Sequence, residues 1–353
     1  MKNNEIFALN LGKIKGIKNN NYLTLFMLMF CSIVGVGFVS GAEIYDFFTV
    51  FGENCYYGIV VFYVLVIFIC NKLINNLLIT QNDCRKTLKK SNQLKIIVND
   101  LGSFLNVLIV SSAMFSGLRY FVKRLYNNNY ICIYFCLIFV IFIMVLLGIK
   151  GLKKLDYFVI IFIIFMVYSL LFGNDFSLVF EKNNRVFSDK IINVNLLLSC
   201  VYPVLYVFMN MFQMKPLIES SGIKIKNKKG GFWFSFFFAS ILSGVLFVFV
   251  IFLKNNPHYT NFSMPFLEYF RHKGGIISSV FCLGLIIALL STLLSSLVGL
   301  KFKIQSAFNL KDLFCSTFSF LIAFFVGFLP FNVFSGILYP ILGAINLIIF
   351  VFC

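Results

Sequence analysis

Ten stretches of mostly apolar residues, each close to twenty residues or longer, recur along the 353-residue chain, and no other feature restricts its fold so strongly. A helix rising 1.5 Å per residue needs about 20 such residues to cross the hydrocarbon core of a bilayer. The stretches are Leu23–Phe51, Tyr56–Leu78, Leu101–Val122, Tyr130–Ile149, Leu155–Phe172, Val194–Met214, Phe232–Leu253, Ile276–Leu300, Leu313–Leu329 and Val333–Phe352. None alternates polar and apolar residues as a barrel strand does. The expected class is therefore an all-α polytopic membrane protein with ten transmembrane helices. Composition agrees, with 60% hydrophobic and 12% charged residues, about half the charge that wets a soluble domain. A soluble enzyme, a secreted disulfide scaffold and a disordered chain are excluded. The first stretch does not read as a cleaved signal peptide, since it is too long and carries Glu43 and Asp46 before it ends.

Thirty Lys and Arg against 13 Asp and Glu give a net charge of +17. In a soluble chain that excess would suggest nucleic acid. Here retention of basic loops on the cytoplasmic side explains it better, and no nucleic-acid partner is expected. With the N-terminus cytoplasmic, ten spans place 21 of the 30 basic residues on that side, and both termini are expected there. An error of one span would invert every later loop and destroy the bias. Arg119, Lys123 and Arg124 fall on the outer side and are expected to snorkel from a helix end. The polar stretch Asn174–Asn193 divides the chain. Residues 1–22 form a tail, 23–178 a first group of five spans, 179–193 an outer loop and 194–353 a second group of five. Thr260–His272, bracketed by Pro257 and Pro265, is too short and polar to cross and reads as an outer re-entrant or surface helix. No CxxC pair occurs, and the only histidines are His258 and His272, so no metal cluster is expected.

The most informative stretch is Ser32-Ile-Val-Gly-Val-Gly-Phe-Val-Ser-Gly-Ala-Glu43. Gly35, Gly37 and Gly41, with Ser32 and Ser40, occupy the middle of the first span. Glycine weakens a helix by about 1 kcal/mol relative to alanine, and an acid at the membrane midplane costs about 2.5–3.5 kcal/mol on insertion scales. Close packing of Gly37-xxx-Gly41 against a neighbour would explain the glycines. It leaves unexplained the acidic pair Glu43 and Asp46, three apart and so on one helix face. An unwound helix lining a polar cavity explains both. The sixth span carries Tyr202, Pro203, Tyr206 and Asn210, and Pro203 predicts a kink or break there. Breaks in spans one and six are what two five-helix repeats of opposite topology produce. In the eighth span, Ser291, Thr292, Ser295 and Ser296 form a hydroxyl stripe. They serve either helix packing or, as oxygen ligands, a hard cation.

At these residues the chain resembles a known group. Gly35-Val-Gly-Phe-Val-Ser-Gly-Ala-Glu43, followed by Phe47-Phe-Thr-Val-Phe-Gly52, is similar to the first-helix signature of the bacterial YkvI-type membrane proteins, GxGFASGQE…FF..FG, with Val39 and Ala42 where the family often has Ala and Gln. Chain length, ten spans and an Asn in span six (Asn210) also agree. That family is similar to the LeuT-fold (amino acid–polyamine–organocation) transporters. The resemblance implies a 5+5 inverted repeat with broken helices one and six in a bacterial cytoplasmic membrane. It also implies a sodium site formed by the carbonyls of Cys31, Val34 and Ala288 and the hydroxyls of Ser291 and Thr292.

The expected function is ion-coupled transport of a small polar or zwitterionic solute, an amino acid or related amine, with sodium or a proton as coupling ion and the lipid bilayer as surroundings. Gly35, Gly37, Ser40, Gly41, Glu43, Tyr202, Tyr206 and Asn210 are the expected solute-binding residues. A membrane-embedded nutrient receptor of the spore-germination permease kind is the alternative. No ATP-binding P-loop is present, and no nucleophile or carboxylate–histidine constellation points to an enzyme.

Overall fold

Apolar stretches of this length leave the backbone no partner but itself in a bilayer, and the structure answers with helices. The computed structural model describes residues 21–83, 93–126, 130–147, 152–172, 192–221, 228–308 and 311–352. The expected tail and the outer loop at 179–193, apart from the last two residues of each, lie outside the described residues. Among the described residues there is no strand. Three pieces make up the first apolar stretch: α1 (Asn21–Ile33), α2 (Val36–Ser40) and α3 (Ala42–Phe47), followed by a 3-10 turn over Thr49–Asn54. Then come α4 (Cys55–Asp83), α5 (Gln93–Tyr126), α6 (Tyr130–Leu147), α7 (Leu152–Phe172), α8 (Ile192–Ser221) and α9 (Lys228–Asn255). A 3-10 turn at Pro257–Asn261 leads to α10 (Pro265–Lys273) and α11 (Gly275–Phe308), and then α12 (Asp312–Val326). The last stretch begins as α13 (Phe331–Val333), widens into a π turn over Phe334–Leu338 and ends as α14 (Tyr339–Phe352).

Among the described residues, seven helices are long and apolar enough to cross a membrane, and Tyr22–Ile33, Tyr130–Leu146 and Asp312–Val326 are shorter apolar helices beside them. The architecture is that of a multi-pass helical membrane protein. Its centre is α5, whose apolar window is 72% buried against 28% for α7 at the periphery. α5 packs on α11, α11 on α7 and α12, and α8 on α4 and α14, with the broken first stretch among them. Phe68, Phe139, Ile164 and Phe172 are exposed on the outside of the bundle, the surface that hydrocarbon would wet.

Of the two interruptions the sequence leads one to expect, one is formed. The first stretch is interrupted, as expected, but α8 runs without a break from Ile192 to Ser221 through Tyr202–Asn210. Pro203 removes only the hydrogen bond to the Ser199 carbonyl, and the flanking polar groups bond within the helix: Ser199 Oγ to Leu196 O, Asn210 Nδ2 to Tyr206 O. Gly58 of α4 closes against this notch, where a Cβ would stand 2.6 Å from the Ser199 oxygen and 2.9 Å from the proline ring. The second irregularity lies instead in the last stretch. Pro340 has no amide hydrogen for Gly336, and the turn before it opens into the π form.

The three basic residues that disturbed the charge pattern have partners. Arg119 donates to the carbonyls of Phe328 (2.8 Å) and Leu329 (3.1 Å), just beyond the C-terminal end of α12, where helix carbonyls lack intrahelical donors. Lys123 lies over the Tyr130 ring. Arg124 makes a two-point ion pair with Glu268 of α10, and Arg271 lies 3.6 Å from the same carboxylate. Glu268 is itself fully buried, so its charge depends on those partners. Losing Arg124 leaves that carboxylate with Arg271 alone, at a cost below the ~3–5 kcal/mol of a pair buried on both sides, since the Arg124 side chain is 39% exposed. Arg124→Ala is expected to lower the thermal midpoint, and Arg124→Ala with Glu268→Gln to recover most of the loss. A single variant as stable as the wild type would show that the pair does not hold α10 in place.

Candidate functional site

The break begins where the helix ladder runs out. Val34 N still bonds to Phe30 O, but Gly35 N turns back to Ile33 O, and Gly35 is extended at φ −83°, ψ −172°. Helix resumes at Val36 and stops again at Gly41, whose φ of 84° lies in the left-handed region that a side chain rarely adopts. Phe266 of α10 packs directly on Gly41, in space that a Cβ there would occupy. The small helix α10, between α9 and α11, therefore covers the second discontinuity of the first stretch.

Glu43 follows in the first turn of α3, and its side chain folds back over Gly37, where any Cβ would overlap the carboxylate. Only glycine at 37 leaves that space. The Tyr206 hydroxyl of α8 donates to Glu43 Oε2 at 2.8 Å, and Glu43 is 4% exposed. Phe47 and Phe48 pack on the Tyr206 ring and hold it in place. Asp46, three residues on, turns to Ser335 in the π turn of the last stretch. The two irregular segments thus meet at the acidic pair.

A narrow cavity lies at this point, with room for roughly one water. Ser32, Ile33 and Gly35 of the break line it together with Glu43, Val110 and Met114 of α5, Met209, Asn210 and Gln213 of α8, Thr292 of α11 and Tyr339 of α14. Of the residues expected to bind solute, Gly35, Glu43 and Asn210 reach it. Tyr206 stands behind Glu43, and Gly37 makes room for it. Ser40 bonds back to Gly37 O, and Tyr202 packs edge-on against Phe47 and Phe51 and is not among the residues lining the cavity.

The residues expected to hold sodium divide between two environments. Thr292 lines the cavity and approaches Gly35, so that a Cβ on Gly35 would stand 3.1 Å from its methyl. Its hydroxyl donates to Ala288 O at 2.8 Å. Ser291, one residue earlier and so about 100° around the helix, donates instead to Asp156 Oδ1 of α7 at 2.7 Å. The Cys31 thiol of α1 reaches the Asp156 carbonyl at 3.6 Å. Val34, just past the end of α1, is fully buried, and its amide bonds back to Phe30 O.

Two residues in or beside this region escaped the sequence reading. Asp156 follows Lys153 and Lys154 at the edge of a span, where an acid reads as loop charge. Only the packing of α7 on α1 and α11 brings it against Ser291. Gln213 lies near the end of the sixth span, and its Nε2 is buried without a hydrogen-bond partner among the described residues. The signal for it was its position seven residues, two helical turns, after Tyr206.

Comparison with protein-family models and with curated proteins gave no match.

The geometry makes Gly37 a direct handle on Glu43. A methyl group there has nowhere to go but into the carboxylate, so Gly37→Ala should expel Glu43 from its bond with Tyr206 while Gly336→Ala, which meets nothing within 4 Å, leaves it. The thermal midpoint should fall for Gly37→Ala by the equivalent of about 1.5–3 kcal/mol, what one hydrogen bond to a charged group is worth, and stay near that of the wild type for Gly336→Ala. Equal, wild-type behaviour of both variants would contradict the placement.

Proposed function

We propose that the chain is a secondary transporter of a small polar or zwitterionic solute, an amino acid or related amine, coupled to a sodium or proton gradient. The observation that carries this reading is Glu43, a buried carboxylate bonded to Tyr206 at a cavity that opens beside a broken membrane helix. A buried acid in a membrane bundle is costly unless it serves a path or a partner. An interrupted helix supplies polar backbone at the same depth. Glu43 offers an anchor to a solute amine or a carrier for a proton, while Asn210, Thr292 and Gln213 offer neutral hydrogen-bonding groups around it.

The reading includes ten spans, counting the three shorter apolar helices with the seven long ones, and both termini on the cytoplasmic face of a bacterial membrane, from the charge bias. It includes two five-span repeats like those of the LeuT fold, of whose two expected breaks only the first is formed. The YkvI-type resemblance supports it through Gly35–Glu43. The cavity holds too little space for an amino acid, so transport requires α1–α3 to move relative to α8 and α11. The coupling ion belongs near Ser291. Asp156 supplies there a carboxylate that adds a charged oxygen to the neutral ligands of a sodium ion, or carries a proton, which neutral hydroxyls do not.

Uptake by purified protein in liposomes tests the proposal, with amino acids, polyamines and osmolytes screened under imposed sodium and pH gradients. Glu43→Gln keeps size and hydrogen bonding but removes the charge, and should reduce accumulation at least tenfold with the protein folded. Asp156→Asn should retain solute binding yet lose the response to the gradient. Near-normal accumulation by Glu43→Gln, or binding with no uptake by the wild type, would contradict the transporter reading.

A further inference from the structure

Beyond the cavity, towards the end of the bundle that carries the Asp100–Lys303 pair, three helices present amides to one another. Asn106 of α5 donates through Nδ2 to the Met209 carbonyl of α8 at 2.6 Å. That bond fixes the orientation of the amide, because only nitrogen can donate. Asn106 Oδ1 must then accept, and it does so from Asn346 Nδ2 of α14 at 3.2 Å. Asn346 Oδ1 is thereby fixed as an acceptor too. It finds no donor among the described residues, although Asn346 is 0% exposed. A relay that starts on a carbonyl ends on an oxygen in need of a proton.

The unmet demand is not confined to that atom. Gln213 Nε2, one turn beyond Met209, is buried without an acceptor, and Asn99 Oδ1 on α5 is buried without a donor. Depths agree across the helices. Gln213 and Asn346 each lie seven residues past the tyrosine of their own helix that lies nearest Glu43, Tyr206 and Tyr339, about 10 Å of helix rise, and Gln213 also lines the cavity, so the layer adjoins it. Asn106 lies eight residues before Met114 of the cavity wall on a helix running the other way, about 12 Å. Asn99, Ser103 and Asn106 continue the file along one stripe of α5, at spacings of four and three. Buried polar groups are nearly always satisfied, and those unpaired within the protein are where internal water binds. A layer of neutral amides offers donors and acceptors without a charge to trap an ion.

We infer that the Asn106–Asn346–Gln213 layer binds water, and that it forms a wet leg between the Glu43 cavity and the Asp100–Lys303 end of the bundle. The hydration stands on these amides alone; only the idea that solute follows it rests on the transporter reading.

A cysteine at 346 in a cysteine-depleted, full-length protein reports this directly, because charged methanethiosulfonates react with hydrated thiolate. The control is Val107→Cys, on the same layer of α5 but in its apolar core at 0% exposure. Labelling at Asn346→Cys is expected to be at least tenfold faster than at Val107→Cys, roughly the contrast between hydrated and apolar thiols. In the unmutated protein, a map that resolves solvent should show a water at about 2.7–3.2 Å from Asn346 Oδ1, and this measurement decides alone if Asn346→Cys does not fold. Labelling at 346 no faster than at 107, or a solvent-resolving map with nothing bonded to Oδ1, overturns the inference. Uptake that still depends on Glu43 would then leave the transporter reading standing with a different route.

Discussion

Glu43 can lie inside the bundle only because position 37 has no side chain. Its carboxylate occupies the volume that a Cβ on Gly37 would fill, and from there it accepts the Tyr206 hydroxyl. That arrangement in turn needs the chain to reverse its ladder at Val34–Gly35 and to adopt a left-handed turn at Gly41. Each departure from regular helix exposes backbone groups in a medium that offers them nothing. The break is therefore tolerated where other helices wall it in: Thr292 of α11 against Gly35, Phe266 of α10 against Gly41, Tyr206 of α8 against Glu43.

This enclosure gives the molecule two unlike ends. On one side of the cavity, α10 presses Phe266 onto Gly41 and is itself tied down by Arg124 and Glu268. The other side holds the amides of Asn106 and Asn346 and, further out, Asp100 with Lys303. One end is closed by aromatic packing and a desolvated ion pair, which are hard to part gradually. The opposite one offers exchangeable hydrogen bonds.

Much of this was legible in the residues. Glycines at 35, 37 and 41 next to Glu43 announced an interrupted helix, because no packing motif needs an acid beside it. Thr292 does pack against the break, but it turns its methyl to Gly35 and its hydroxyl to the Ala288 carbonyl. Pro203 misled, because proline forfeits one hydrogen bond and a close neighbour such as Gly58 can absorb the resulting notch. The π turn before Pro340 carries no comparable signal in the sequence, because no acid lies beside Pro330, Gly336 and Pro340. Asp156 and Asn346 could not be read at all. Their roles depend on which helix faces which, and a single apolar run carries almost no such phase, as the apolar surroundings of α7 and α14 illustrate.

The central claim is that the Glu43 cavity is where the solute binds, and thermal stabilisation by ligands tests it most directly. A ligand that binds only the folded protein raises its stability by RT ln(1 + [L]/Kd), about 2.7 kcal/mol at a hundredfold excess over Kd. Amino acids, polyamines and osmolytes would be screened against the wild type and Glu43→Gln at matched concentrations, with and without sodium. At least one class of solute is expected to raise the melting temperature of the wild type and to leave that of Glu43→Gln unmoved. A solute that stabilises both proteins equally would contradict the claim, since its site could not then include the Glu43 carboxylate.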